Sequence, residues 1–138
     1  FGLVVHEGPA VLVHDDKLFI SYSASATDEN YCMGLLWIDL NADPQNPANW
    51  QKSSRPVFVT SYENRQYGPG HYSFTQTPEG EDVLVYHARN YTEIEGDPLY
   101  DPNRHTRLKL VRWDEIRHPV RGYALVFAAR WLTPACRR

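Results

Sequence analysis

The chain has few cysteines, no long apolar run and no excess of basic residues. Its 138 residues contain two cysteines, which form neither a metal-binding pattern nor a disulfide framework. No stretch of about 18 consecutive apolar residues occurs, so we expect no transmembrane helix and no membrane partner. The formal net charge is −3, and no sustained basic run precedes the tail, which argues against nucleic acid as the main partner.

Helix signals are also nearly absent, and the pattern of apolar runs and turn residues predicts an all-β fold. A first unit of strands is predicted over residues 10–14, 18–23, 32–40 and 56–60. A second unit is predicted over residues 71–76, 83–88 and 105–113. The returning strands begin at Leu18 and Val83, 65 residues apart, and each unit opens with a Gly-Pro step.

A repeat of a few antiparallel strands at this spacing is typical of propeller blades, although the strand count also permits one small β-sandwich. Because two blades cannot close a ring, we expect part of something larger or a protein that associates with itself.

Acidic and polar residues at the ends of these strands indicate a site. Glu7 follows an apolar stretch and precedes Gly8-Pro9, and burial at this point would raise the pKa of its carboxyl group. An ordinary carboxylate at a strand start is the alternative. His71, His87 and His105 match no compact zinc motif, so each is a structural histidine or a member of a polar site. The 9 Tyr and 4 Trp suit flat polar ligands such as sugars, and β-sheet surfaces equally well.

Five segments resemble glycoside hydrolase family 43, in particular its α-L-arabinofuranosidases that act on arabinan or arabinoxylan. They are EGP (7–9), YCMGLL (31–36), QYGPGH (66–71), VYHAR (85–89) and EGDPLYDPNRHTR (95–107). The resemblance implies a five-bladed β-propeller, of which this chain is the C-terminal portion with about two blades. We expect residues 1–115 to form these blades.

The resemblance also implies roles for single residues. Glu7 corresponds to the general acid of an inverting glycosidase, in which an opposing carboxylate activates water. Cys32, His71, Arg104 and His105 correspond to substrate-binding positions. No cofactor is required, but in many members the histidine matching His71 contacts a calcium or sodium ion near the propeller axis, directly or through water.

Two arginines in the last segment are open candidates for the sugar contact. The resemblance favours Arg104, and the sequence by itself does not separate it from Arg107. Since neighbouring side chains alternate along a strand, only one of Arg104 and His105 should point inward.

The chain departs from the family in lacking two aspartates, the general base and a residue that orients the acid. Both normally precede the EGP motif, and the six residues before Glu7 contain no Asp. We therefore expect an inactive or nearly inactive monomer that still binds an arabinose-containing polysaccharide or oligosaccharide. The alternatives are an inactive carbohydrate-binding module and an oligomer, associated through exposed blade edges, in which a neighbour supplies the base.

The resemblance ends near residue 115. We expect residues 116–138 to be an atypical tail, which is truncated, out of frame or a genuinely variable terminus.

Overall fold

Alternation of apolar and polar residues gives the chain an all-β structure, as expected. The computed structural model describes residues 5–113 and 122–123, the last two by their backbone. Their strands are β1 (Val5–His14), β2 (Lys17–Ser25), β3 (Cys32–Asp39), β4 (Gln51–Lys52), β5 (Phe58–Val59), β6 (Tyr67–Gln76), β7 (Asp82–Arg89), β8 (His105–Leu110) and β9 (Gly122–Tyr123). Two 3-10 turns, Pro47–Asn49 and Pro98–Tyr100, are the helical elements of this part of the chain, and no helix there is long and apolar enough to cross a membrane.

The first sheet has the order β1-β2-β3-β5-β9, with β4 also paired to β3. Strands β1 and β2 form a hairpin around Asp15-Asp16, where Asp15 takes a φ of 52°. Aspartate tolerates this left-handed conformation better than most residues, which is why the turn can be so short. Strand β9 joins the edge of β5 in parallel.

The second sheet has the antiparallel order β6-β7-β8. Its central strand, β7, buries alternate residues, Leu84, Tyr86 and Ala88. This period of two is the pattern expected of a strand with one face against a core.

The hydrophobic core lies between the two sheets. Its buried members are Phe19, Met33, Leu35, Val57, Phe58, Tyr72, Leu84, Tyr86 and Ala88. The rings of Phe58 and Tyr86 meet edge to face with centroids 4.9 Å apart, so each sheet contributes an aromatic residue to the centre.

Both Gly-Pro steps were expected to open their units but instead lie inside strands. Gly8 (φ 56°) and Gly68 (φ 57°) stand at irregularities in the pairing of β1 and β6, which begin earlier than expected, at Val5 and Tyr67. Glycine adopts positive φ without steric cost, so the strand continues through a bulge at each step. Strand β8 also ends earlier than expected, at Leu110.

The expected tail over residues 116–138 lies outside the described residues except for Gly122–Tyr123.

Candidate active site

Glu7 lies on β1 at the bulge that Gly8 creates. Its side chain is exposed, so the expectation of a buried carboxyl is wrong for the described chain. The physical reason is that no residue of β1 is buried, so this strand lies at the surface of the described chain. The carboxylate nevertheless has a fixed partner, because its Oε1 accepts a hydrogen bond of 2.6 Å from the hydroxyl of Tyr31.

Tyr31 precedes β3 and is only 1% exposed. Burial raises the pKa of Tyr31 to about 12, and the neighbouring Glu7 carboxylate raises it further than the Ser23 hydroxyl and the Arg104 charge lower it. The hydroxyl therefore remains a proton donor to Glu7 throughout the neutral pH range.

Two glycines of the second sheet make room for Tyr31. A Cβ on Gly70 would lie 1.7 Å from Cε1 of the Tyr31 ring, and one on Gly68 would lie 2.2 Å from the Asp28 carbonyl oxygen. Thr60 ties the same region together, since its Oγ1 donates to the Glu29 carbonyl at 2.5 Å and accepts from the Gly68 amide at 2.9 Å. The QYGPGH segment (66–71) therefore packs closely around Tyr31, the residue that donates a hydrogen bond to Glu7. We call this segment the socket of Tyr31.

His71 ends this socket and faces the first sheet. Its φ is 50°, which is uncommon for a residue with a side chain, and its amide donates to the Oγ of Ser23 at 2.8 Å. The imidazole lies against Gly8, where a Cβ would be 3.3 Å from Nδ1. The Gly8 bulge therefore brings Glu7 and His71 to the same end of the two sheets.

An open polar pocket of ≈ 410 Å³ lies beside this contact. It is lined by His71, Val85, Tyr86, His87, Arg104 and Thr106. In the described part of the chain this lining contains no aspartate or glutamate. The pocket can therefore offer hydrogen bonds and positive charge to a polar ligand, and it offers no second carboxylate.

The structure places Arg104, and not His105, on the pocket wall. His105 is exposed and its Nε2 lies 3.0 Å from Nδ2 of Asn103. Arg104 donates from Nη2 to the Leu99 carbonyl at 2.7 Å, while Arg107 donates from Nε to the Ala88 carbonyl at 3.3 Å. Arg107 thus braces β7 against β8, and Arg104 is the arginine that reaches the pocket.

The expected set of site residues left out His87. Burial, followed by the charges of Arg104, Arg89 and His71, lowers the pKa of His87 to about 4, so its imidazole is neutral at pH 7. Both ring nitrogens are buried and have no hydrogen-bond partner among the described residues. Its ring stacks on Tyr31 with centroids 5.9 Å apart.

Tyr31 and His87 both stand inside segments that carry the family resemblance, and this was the one sequence signal that pointed to them. Their contacts join residues far apart in the chain, which no local pattern reveals.

Arg89 anchors the loop that leads to Arg104. Its side chain is 1% exposed, and Nη1 donates to the Thr27 carbonyl at 2.7 Å. Nη2 donates to the Pro98 carbonyl, and Nε lies 3.3 Å from Oδ1 of Asp101. This buried guanidinium connects the first sheet's loop to the second sheet's loop, which fixes the approach of Arg104.

Cys32 lies apart from the other expected site residues. It lines a separate pocket of ≈ 190 Å³ with Tyr22, Gly34, Lys52 and other residues around β3 and β4. Burial raises the pKa of its thiol, and Sγ donates to the Ala24 carbonyl at 3.6 Å.

The described residues do not build a cation site. No group of three or more His, Cys, Asp and Glu side chains is close enough to hold an ion, and His71 is a single nitrogen ligand. Calcium binds six to eight oxygen ligands in proteins, so His71 by itself does not fit one.

Comparison with known proteins gives a consistent family. The family model for glycosyl hydrolases family 43 matches residues 1–116. An extracellular exo-α-(1→5)-L-arabinofuranosidase of Streptomyces avermitilis is 59% identical over 114 residues, which is 82% of this chain and 24% of that protein. Alpha-L-arabinofuranosidase 43 of Humicola insolens is 52% identical over 113 residues, which is 81% of this chain and 24% of that protein. The chain thus spans about a quarter of the length of these relatives.

A solved structure supports the same assignment. The α-L-arabinofuranosidase from Lactobacillus brevis has a TM-score of 0.84 and 52% sequence identity, over 88% of this chain and 38% of that one. The structural neighbours are five-bladed β-propellers, and the two sheets described above are about two blades of such a propeller. We call the sheet of β1 to β3 the first blade and the sheet of β6 to β8 the second blade.

Proposed function

The chain belongs to glycosyl hydrolase family 43, and on this basis we propose that it supplies the general-acid side of an inverting glycosidase that releases α-L-arabinofuranose from arabinan or arabinoxylan. The observation that carries the proposal is the Glu7 carboxyl, held by Tyr31, whose ring stacks on His87 in the wall of a pocket that His71 and Arg104 also line.

In this mechanism Glu7 gives its proton to the glycosidic oxygen as the bond to the anomeric carbon breaks. A carboxylate on the opposite face of the sugar removes a proton from water, which attacks the same carbon with inversion. In such enzymes the two carboxyl groups stand about 6.5–9.5 Å apart, which leaves room for the water. Because the pocket wall described here has no carboxylate, the base comes from another part of a complete propeller.

The pocket residues suit a small sugar with several hydroxyl groups. Arg104 donates hydrogen bonds and bears a fixed positive charge. His87 is neutral, so its ring can donate from one nitrogen and accept at the other. A neutral polyhydroxylated ligand can use both, whereas a cationic ligand would be repelled by Arg104.

No cofactor is required in this proposal. A calcium or sodium ion at His71 would keep most of its water, since the described residues offer it one imidazole and no cluster of carboxylates. We derive no step of the reaction from such an ion.

Exposed tyrosines favour a second candidate, an inactive carbohydrate-binding module. Tyr100 is 81% exposed, and with Tyr91 it lines a separate pocket of ≈ 540 Å³. Exposed aromatic faces of this kind can stack on sugar rings.

A hybrid enzyme tests the main proposal. In it, residues 1–116 of this chain replace the segment of the Streptomyces avermitilis enzyme that they match. We expect the hybrid to hydrolyse α-1,5-linked arabinobiose, and Glu7→Gln to lower kcat by about 10²–10⁴-fold, the usual contribution of general acid catalysis. The matched control is Glu79→Gln, which changes an exposed carboxylate on the turn between β6 and β7 and should leave kcat unchanged.

The 138-residue chain is assayed beside the hybrid, with its mass measured by light scattering. We expect no hydrolysis by the chain above that of its own Glu7→Gln form. Activity that disappears in the variant would show that a second copy supplies the base, and the mass would give the size of that oligomer. A hybrid in which Glu7→Gln has no effect contradicts the acid role, and arabinobiose binding without turnover then supports the binding module.

A further inference from the structure

We propose that Tyr31 is the positioning residue for Glu7, and that its hydroxyl holds the carboxyl group where it can deliver its proton to the departing oxygen. The inference rests on the proposed function, because it takes Glu7 to be the general acid. It concerns a residue that would not react, and that would act through the hydrogen bond it donates.

The Glu7 side chain needs such a partner. It is exposed on an edge strand, and a glutamate has several rotatable bonds, so packing against the described residues does not fix it. The 2.6 Å hydrogen bond from Tyr31 is the contact that selects one orientation. Proton transfer requires that orientation to within hydrogen-bonding reach of the substrate oxygen.

Tyr31 is itself held rigidly, and the second blade holds it. Gly70 packs against the ring so closely that a methyl group there would overlap it, and His87 stacks on the ring's face. The turn before Tyr31 is tied through Thr60 to the Gly68 amide. The position of the Glu7 carboxyl in the first blade is therefore set by the backbone of the second blade.

The ionisation of Tyr31 agrees with a role in orientation. A phenol whose pKa is about 12 keeps its proton during the reaction, so it donates to Glu7 at every working pH. It also means that Tyr31 cannot replace Glu7 as the acid, because it gives up its proton far too reluctantly.

The test compares Tyr31→Phe with Tyr72→Phe in the hybrid enzyme. Tyr72 is also buried, and its hydroxyl donates to the Pro69 carbonyl at 2.7 Å on the same socket, so the control loses a similar buried hydrogen bond without touching Glu7. Each form is assayed on α-1,5-arabinobiose, whose leaving group needs a proton, and on p-nitrophenyl α-L-arabinofuranoside, whose leaving group needs little help.

We expect Tyr31→Phe to lower kcat on arabinobiose by about 10–100-fold, the usual effect of misplacing a reacting group, with little change in KM. The same variant should affect kcat on the p-nitrophenyl substrate far less. Tyr72→Phe should change both substrates to the same small extent. Equal losses on both substrates for Tyr31→Phe, or the same selectivity in Tyr72→Phe, would overturn the positioning role.

The outcome for Glu7→Gln separates the two proposals. If Glu7→Gln is selective for arabinobiose and Tyr31→Phe is not, Glu7 is the acid and the Tyr31 role is wrong. If Glu7→Gln has no selective effect, or the hybrid is inactive in every form, the proposed function fails and the positioning role fails with it.

A second measurement tests the contact in the 138-residue chain without any assay of activity. Urea midpoints are compared for the unchanged chain, Glu7→Ala, which has no side-chain acceptor, Tyr31→Phe and the double variant. We expect the shift of the double variant to be smaller than the sum of the two single shifts, because each single change already breaks the hydrogen bond. Additive shifts would show that the two residues do not interact, and would overturn the proposal.

Discussion

Each of the two blades has a glycine with positive φ in its first strand, and the two glycines have different surroundings. Gly8 and Gly68 have nearly the same positive φ, and each interrupts the pairing of the first strand of its blade. At Gly8 the bulge lies beside an exposed carboxylate, Glu7, whereas at Gly68 it lies against the Asp28 carbonyl in the turn before the buried Tyr31. The comparison shows that the second blade packs against the residue that donates a hydrogen bond to Glu7 in the first blade.

Their surroundings differ in burial and not in topology, because β1 and β6 are both edge strands of their sheets as described. No residue of β1 is buried, and its Val11 and Val13 are at least half exposed. Strand β6 buries residues 68–70 and Tyr72.

The largest expected effect on stability is at the junction of the blades. Asp82, 5% exposed, accepts hydrogen bonds from Gln76 Nε2 at 3.0 Å and from Trp113 Nε1 at 3.1 Å, and lies 3.0 Å from His14 Nδ1. Asp82→Ala leaves these three part-buried partners without the carboxylate that they share. We expect it to lower the free energy of unfolding by about 3 kcal/mol, measured by urea denaturation.

The matched change in the first blade is Asp39→Ala, which removes an exposed carboxylate paired with Lys17. Exposed ion pairs contribute less than about 1 kcal/mol. Equal losses in the two variants would contradict the view that the junction depends on the second blade.

The next largest effect distinguishes a residue that binds the sugar from one that transfers a proton. Arg104→Ala in the hybrid enzyme removes a charged donor from the pocket, and we expect kcat/KM to fall about 10–100-fold. Unlike Glu7→Gln, it should affect arabinobiose and the p-nitrophenyl substrate alike, because both place the same sugar in the pocket. His105→Ala is the comparison, because His105 does not line the pocket, and a loss there as large as that of Arg104→Ala would support the prediction that His105 binds substrate.

A glycine in each blade tests how rigid the two aromatic contacts are. A Cβ on Gly70 would lie 1.7 Å from the buried Tyr31 ring, and one on Gly34 would lie 2.2 Å from the half-buried Tyr22 ring. We expect Gly70→Ala to cost about 1–3 kcal/mol in the free energy of unfolding. Gly34→Ala should cost less, since Tyr22 can move into solvent. Both costs are measured by urea denaturation. A larger cost for Gly34→Ala would show that the residues around Tyr31 adapt to an added methyl group more easily than those around Tyr22.

The smallest expected effect is a dependence of stability on pH. Burial lowers the pKa of His87 to about 4 in the folded chain, against about 6.5 when unfolded. Between these values the unfolded state binds more protons, so stability falls as the pH drops from 6.5 to 4. We expect this to amount to about 1–2 kcal/mol, allowing for the partial exposure of the ring.

His87→Phe keeps an aromatic ring against Tyr31 and removes the titration. The variant should lose part of the difference between urea midpoints at pH 7 and pH 4.5, whereas His105→Gln, at an exposed position, should keep it all. An unchanged difference in His87→Phe would mean that His87 is not the group responsible.

Much of the fold could be predicted from the sequence, because strands are indicated by local alternation of apolar and polar residues and by the turn residues between them. The central strands β2, β3 and β7 lie close to where they were expected. The Gly-Pro steps were interpreted as the starts of the two units, but each lies inside a strand. The sequence does not distinguish a turn from a bulge across which the strand pairing continues. The short strand β4 was not expected at all.

The candidate site was predicted less completely. The family resemblance pointed to Glu7, His71 and Arg104, and the structure brings these three to one end of the two blades. Tyr31 and His87 lie in segments that carry the resemblance but were given no role in the site, whereas Cys32 was, and the fold puts Cys32 in a different pocket.

The sequence by itself determined the family and the all-β class, because the motifs and the apolar patterns behind them are properties of residue order alone. Only the tertiary structure decided that Glu7 is exposed, that Tyr31 holds it, and that Arg104 rather than Arg107 reaches the pocket. These outcomes depend on contacts between residues 24 or more positions apart, as between Glu7 and Tyr31, or on which face of a strand points inward. Such contacts form only when distant segments of the chain pack together, and the free energy of that packing is not contained in any single segment.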